Sequence, residues 1–120
     1  MSTSQTKIFD LEERTFQFAK SVRTFVAVLP RTLSFIEDGK QVIRASGSIG
    51  ANYIEANESL SKKDFLMRLK ISRKEAKECG YFLRLISEHV DGDKEIEALR
   101  LQQEAREIRS ILSAIILKSN

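Results

Sequence analysis

From Phe65 to Val90 the chain sets small or apolar side chains at Phe65, Leu69, Ser72, Ala76, Cys79, Leu83, Ile86 and Val90, in alternating steps of four and three. An α-helix brings such positions to one face, because its turn of about 3.6 residues returns every third or fourth side chain to the same side. Sustained over so many turns, the pattern predicts one long helix with a buried stripe. The rest of the chain keeps the same period. Ile8, Leu11, Phe18, Val22, Phe25 and Leu29 make a first stripe, Val42, Ala45, Ile49, Tyr53 and Ala56 a second, and Leu101, Ala105, Ile108, Leu112 and Ile115 a fourth. No segment alternates with period two over a useful length, so no strands are expected.

The interruptions carry turn chemistry. Pro30, the only proline, ends the first segment because it lacks the N–H that a helix interior needs. Ser34 with Glu37 is a candidate cap for the second helix, and Ser61 with Asp64 has the spacing of a capping box for the third. Asp91, Gly92 and Asp93 supply a turn and a new start. The expected helices run over roughly 8–29, 36–58, 62–89 and 94–117. Short connections make consecutive helices pack antiparallel, so residues 1–120 are expected to form a single all-α domain, an up-down-up-down four-helix bundle.

Composition suits that picture and bounds the function. Of 120 residues, 42% are hydrophobic and 31% charged, enough for a core under a well-solvated surface; the net charge of +3 is compatible with an anionic partner without demanding one. The single cysteine, Cys79, excludes an internal disulfide and fits a reducing compartment. The N-terminus lacks an apolar signal region, and the longest apolar run, "FVAVL", is far too short to span a membrane. A cytoplasmic protein with no cofactor is expected.

Two glycines break the helical economy of the second segment. Gly47 and Gly50 lie off the core stripe, on a second stripe with Ile43 and Ile54. Each costs about 1 kcal/mol of helix propensity relative to Ala, and small residues permit close approach of another backbone. That backbone belongs either to a neighbouring helix or to another subunit. Further apolar residues off the main stripes (Phe16, Ala19, Val26, Ile111 and Ile116) tilt the balance toward oligomerisation over a wide intramolecular core.

Enzymatic patterns fail residue by residue. Ser46 stands where a nucleophile elbow needs its first glycine, and "DGKQ" lacks the remaining parts of a phosphate-binding loop. The only histidine, His89, follows Ile86 by three residues, so the Glu-x-x-His pairs of a di-iron bundle cannot be assembled. Cys79 in the third stripe reads as a small buried hydrophobe rather than a nucleophile. His89 near a helix C-terminus reads as a partner of the helix dipole and water rather than a metal ligand. No catalytic, cofactor or metal site is expected.

Two polar features remain. Asn52, Glu55, Glu58, Glu75 and Glu78 lie on the middle helices, either as solvated surface with local pairs such as Lys74–Glu78 or as a cluster that sets helix register or subunit contact. Residues 62–77 hold Lys62, Lys63, Arg68, Lys70, Arg73, Lys74 and Lys77 against only Asp64 and Glu75. Lys63, Lys70, Lys74 and Lys77 share one face. A solvated charged face is the ordinary meaning of such a stripe; the sharper one is a surface for nucleic-acid backbone, RNA or DNA, read without sequence preference. Aromatics do not interleave with these lysines, so base stacking is not suggested.

The run "GANYIEANESLSKKDFLMRLKISRKEAKECGYFLRLI" resembles a bacterial four-helix-bundle family first noticed as reading frames inside intervening sequences of large-subunit ribosomal RNA genes. The pattern S-x-G-A-N-Y-x-E-A is met by Ser48, Gly50, Ala51, Asn52, Tyr53, Glu55 and Ala56. S-K-x-D-F follows at Ser61, Lys62, Asp64 and Phe65, and K-E-A-x-E-x-x-Y-W-L at Lys74, Glu75, Ala76, Glu78, Tyr81 and Leu83. Ile54 stands where the family usually has Arg, and Phe82 replaces its Trp. The resemblance implies a homopentamer of four-helix bundles with a poorly defined function. It also points to related bundles that act as retroelement accessory factors, binding nucleic acid and a reverse transcriptase through basic surfaces. The leading expectation is therefore a non-catalytic oligomeric module with Lys63, Lys70, Arg73, Lys74 and Lys77 as nucleic-acid contacts. The alternative is a protein-interaction scaffold with no nucleic-acid role, and an enzyme is a distant third.

Overall fold

The computed structural model describes residues 11–120. It contains four helices: α1 (Leu11–Ala27), α2 (Leu33–Asn57), α3 (Lys62–Ser87) and α4 (Gly92–Ser119). The expected start of the first helix at residue 8, and Ile8 in its stripe, lie outside the described residues. Each helix packs on its neighbours in sequence, and α1 closes the bundle on α4. Side-chain pairs give the directions. Thr15 meets Gly50 and Val26 meets Gly39 between α1 and α2; Arg68 meets Asn52 and Arg44 meets Glu78 between α2 and α3; Arg73 meets Ser113 between α3 and α4. The bundle is an antiparallel up-down-up-down arrangement.

The helix ends follow local chemistry. α1 stops three residues before Pro30, with Val28 and Leu29 N–H groups donating to the carbonyls of Phe25 and Val26 in a tightened last turn. α2 begins at Leu33 and not at 36. Thr32 is its cap, extended at φ −97° and ψ 162°, with its hydroxyl accepting from the Phe35 N–H at 3.4 Å, so the Ser34–Glu37 cap is replaced by one two residues earlier. Ser61 caps α3 as its spacing suggests, accepting from the Asp64 N–H at 3.1 Å. α3 ends at Ser87, leaving His89 in the turn, and α4 begins at Gly92. Asp91 holds the cap position of α4 through its backbone, whose carbonyl accepts from Glu95, without a side-chain bond. Gly92 takes φ +57°, a left-handed value that a Cβ disfavours, which is why glycine suits this corner.

The four stripes meet in one core that includes Phe18, Val22, Val42, Ile49, Leu69, Leu83, Ile108 and Leu112. Thr15, Ser46 and Ser72 are buried with them; the Ser72 hydroxyl donates to the Ile49 carbonyl across α2 and α3 at 2.7 Å, satisfying a polar group in the interior. Of the off-stripe residues, Val26 and Ile111 pack against the core, and Ile116 is buried at 4% exposure while Ile115 is only partly covered. The last turn of α4 thus turns Ile116 inward, the reverse of the expected assignment. Phe16, in contrast, stays 60% exposed. Among the described residues no helix is long and apolar enough to cross a membrane.

Candidate nucleic-acid interface

The core stripe of α3 determines what its opposite face shows. With Leu69, Ser72, Ala76, Cys79 and Leu83 turned inward, Lys63, Lys70 and Lys74 point away from the bundle and are exposed. They border a shallow depression floored by Leu66, Met67 and Ile71. Arg73 and Lys77 do not join that ridge. Arg73 leans over α4, where its guanidinium donates to the Ser113 hydroxyl at 3.5 Å, and Lys77 lines a separate groove between α3 and α4. The five expected contacts are therefore divided between an outward ridge and a groove beside it. None of them forms an ion pair among the described residues.

That groove, about 200 Å³, brings together Lys77, Gly80, Tyr81 and Arg84 of α3 with Gln102, Arg106 and Arg109 of α4. Sequence reasoning missed Arg84, Arg106, Arg109 and Tyr81 as members of one surface. The available signal is a matched pair of polar stripes, 73/77/80/84 and 102/106/109/113, whose steps of four and three face each other only once α3 and α4 are known to be antiparallel neighbours. On its other side α4 is acidic: Glu104 and Glu107 accept from Arg14 of α1, at 2.7 and 2.8 Å to Glu104 and 2.9 Å to Glu107. The α1–α4 contact thus draws these two acids away from the α3–α4 groove.

The polar set on the middle helices separates into two bridges and two residues outside them. Asn52 donates to the Ser48 carbonyl and hydroxyl and accepts from Arg68 at 3.1 Å, tying α2 to α3. Glu78 accepts from Arg44 at 2.7 Å, and Glu75 lies 3.6 Å from the same guanidinium. Glu78 is thus claimed by α2 rather than by Lys74, and Arg44 and Arg68 are the members that sequence reasoning overlooked. Glu55 and Glu58 are exposed and join neither bridge.

Glu75 is buried, and one of its oxygens is enclosed without a hydrogen bond. Burial, reinforced by the neighbouring Glu78 carboxylate, pushes its pKa above the ordinary glutamate value of 4.5 against the pull of Arg44 and Lys74. An acid with a raised folded-state pKa stabilises the fold in its protonated form. That contribution is complete below the ordinary value and is lost as pH rises through the raised one. Glu75→Gln should therefore stabilise the protein at pH 7 by about 1 kcal/mol, with the advantage shrinking as pH falls toward 4.5. Urea melts at both pH values read this directly; a variant weaker at pH 7 would show that attraction to Arg44 outweighs burial.

The small-residue stripe faces α1. A Cβ built on Gly50 would sit 2.9 Å from the Thr15 hydroxyl oxygen, one on Gly39 2.8 Å from a Val26 methyl, and one on Gly47 3.3 Å from the tip of Arg23. Gly39 belongs with the other two and was not singled out in the sequence. Ile43 packs against the core, whereas Ile54 is 44% exposed. Phe16, Ala19, Gly47, Gly50 and Ile54 line an open groove of about 790 Å³ between α1 and α2. Cys79 is fully buried, and burial, with Glu75 and Glu78 nearby, pushes its thiol far up from its ordinary pKa. No group of three or more His, Cys, Asp or Glu residues among those described is arranged to hold a metal ion.

Residues 8–114 match the family model of the 23S rRNA-intervening sequence protein. The chain belongs to this family. A solved crystal structure of a protein of unknown function from the S23 ribosomal protein family of Bacteroides thetaiotaomicron is 28% identical; the similarity covers 88% of this chain and 97% of that one, with a TM-score of 0.73. Comparison with curated proteins found no significant match. In this member of the 23S rRNA-intervening sequence family, the motif residues named above mostly do structural work. Gly50 admits α1, Ser48 and Asn52 anchor Arg68, Ser61 caps α3, and Glu75 and Glu78 receive Arg44. Ile54, in place of the usual Arg, leaves an apolar side chain beside the α1–α2 groove, and Phe82 meets the Tyr81 ring edge-on at 5.3 Å.

Proposed function

We propose that this protein is a non-catalytic, cytoplasmic, oligomeric four-helix-bundle module that binds the backbone of RNA or DNA through the basic face of α3. One observation carries the reading: the exposed side of α3 holds Lys63, Lys70, Lys74 and Lys77 with no carboxylate paired to any of them among the described residues. Cations so arranged attract phosphates and release their counterions, which gives salt-sensitive binding that tolerates any sequence. A homopentamer repeats the ridge five times. A reverse transcriptase or another protein is the partner suggested by the resemblance to retroelement accessory bundles.

A second reading, a protein-interaction scaffold, is favoured by the apolar α1–α2 groove with Phe16 and Ile54 on its walls. The same groove supports self-association, because a second copy covering it would remove those side chains from water. Light scattering behind size exclusion should report about five times the 13.7 kDa chain mass. Fluorescence anisotropy at low salt should detect binding to an arbitrary RNA. A monomer at micromolar concentration defeats the assembly part, and absence of any anisotropy change at low salt moves the scaffold reading ahead.

A further inference from the structure

We infer that the groove between α3 and α4 receives a single-stranded segment of nucleic acid, with a base stacked on Tyr81 and the adjoining phosphate held among Arg84, Arg106 and Arg109. The inference rests on the backbone-binding reading above and adds to it a preferred form of ligand.

The groove gathers positive charge, and no carboxylate among the described residues lines it. Lys77, Arg84, Arg106 and Arg109 line it, and none forms an ion pair among the described residues. Arg106 donates to the neutral Gln103 amide instead. Like charges gathered along one groove repel, and an anion relieves that repulsion. Guanidinium groups suit a phosphate better than ammonium groups do, because their planar fork can donate two hydrogen bonds to two of its oxygens. Three of the four cations are arginines.

The groove also has room and an aromatic wall. A Cβ added at Gly80 would meet nothing within 4 Å, so this position is open space where a side chain would stand in the groove. Tyr81, next in the chain, is 59% exposed. Its contact with Phe82 is edge-on, at an interplanar angle of 81°, which steadies the ring without a parallel stack. An exposed ring beside backbone-binding cations is the arrangement by which single strands are held, since every base offers a face for stacking. A duplex keeps its bases stacked on one another and cannot present one to Tyr81 without unpairing. The tertiary structure thus supplies the aromatic that is absent from the lysine stripe itself.

The test uses the full chain and three fluorescein-labelled 12-mers at 50 mM salt: a uridine single strand, the same strand with abasic sites, and an arbitrary duplex. The native protein should bind the single strand more tightly than the duplex. Tyr81→Ala should weaken the single strand roughly 5- to 150-fold, the range for loss of one stacked base, and leave the abasic strand and the duplex unchanged. Tyr81→Phe should retain the native affinity. Arg84→Gln with Arg109→Gln should make the single-strand log–log salt slope shallower by roughly 1.4, two contacts at about 0.7 each. Circular dichroism checks that the variants stay helical. Equal effects of Tyr81→Ala on all three ligands, or no effect on any, overturn the stacking inference while leaving salt-dependent binding through the α3 ridge intact. A native protein that binds none of the three overturns both.

Discussion

Replacing Lys63, Lys70, Lys74 and Lys77 together with Glu should abolish duplex binding while leaving helicity and assembly unchanged. All four side chains are exposed, Lys63, Lys70 and Lys74 on the outward ridge of α3 and Lys77 beside it at the rim of the α3–α4 groove, so reversing their charge removes no core contact. For the native protein, duplex affinity should fall with salt at a log–log slope of about −0.9 per phosphate neutralised, or about a hundredfold between 50 and 200 mM for four contacts. The control is the same charge change at Lys20, Arg31, Lys94 and Lys118, which are exposed elsewhere on the bundle. That set alters net charge equally and should cost much less affinity. If both sets weaken binding alike, attraction comes from net charge, and the α3 face is not a site.

Gly50→Leu should destabilise the bundle by about 1–3 kcal/mol, the usual cost of forcing bulk into a packed contact. At this chain length each kcal/mol lowers Tm by roughly 3–6 °C. Thr15 cannot easily give way: it is buried, β-branched, and held by a hydrogen bond from its hydroxyl to the Glu12 carbonyl at 2.9 Å. Gly47→Ala provides the contrast. Its new methyl meets only the far end of the flexible Arg23 side chain, so the gain in helix propensity, about 1 kcal/mol, should prevail. Thermal melts of the two variants should move in opposite directions. A Gly50→Leu protein as stable as the native one would mean that α1 and α2 can separate there without loss.

The two glycines that looked alike in sequence differ because only one of them lies against a rigid neighbour. The same distinction runs through the molecule. Helix number, the core stripes of α1 and α3, the break at Pro30 and the cap at Ser61 were legible because each depends on residues within a few positions of one another. A period of three and four, a missing N–H or a hydroxyl three residues before an amide acts locally. Details already failed where two local choices were close in energy. Thr32 and Ser34 could each cap α2, and the Thr32 hydroxyl takes the bond from Phe35; either Ile115 or Ile116 could continue the α4 stripe after Leu112, and packing buries Ile116.

The sequence by itself determined an all-α bundle and a basic third helix, since both follow from the residues of single segments. Only the tertiary structure decided who meets whom. It placed Gly39 and Gly50 against α1, gave Glu78 to Arg44, and divided the expected basic stripe between a ridge and a groove. The groove needs Arg106 and Arg109 beside Lys77 and Tyr81, residues more than twenty positions apart. Periodicity reports the direction of a side chain from its own helix axis and is silent on the rotation of the next helix, which is settled by the packing of all four stripes at once.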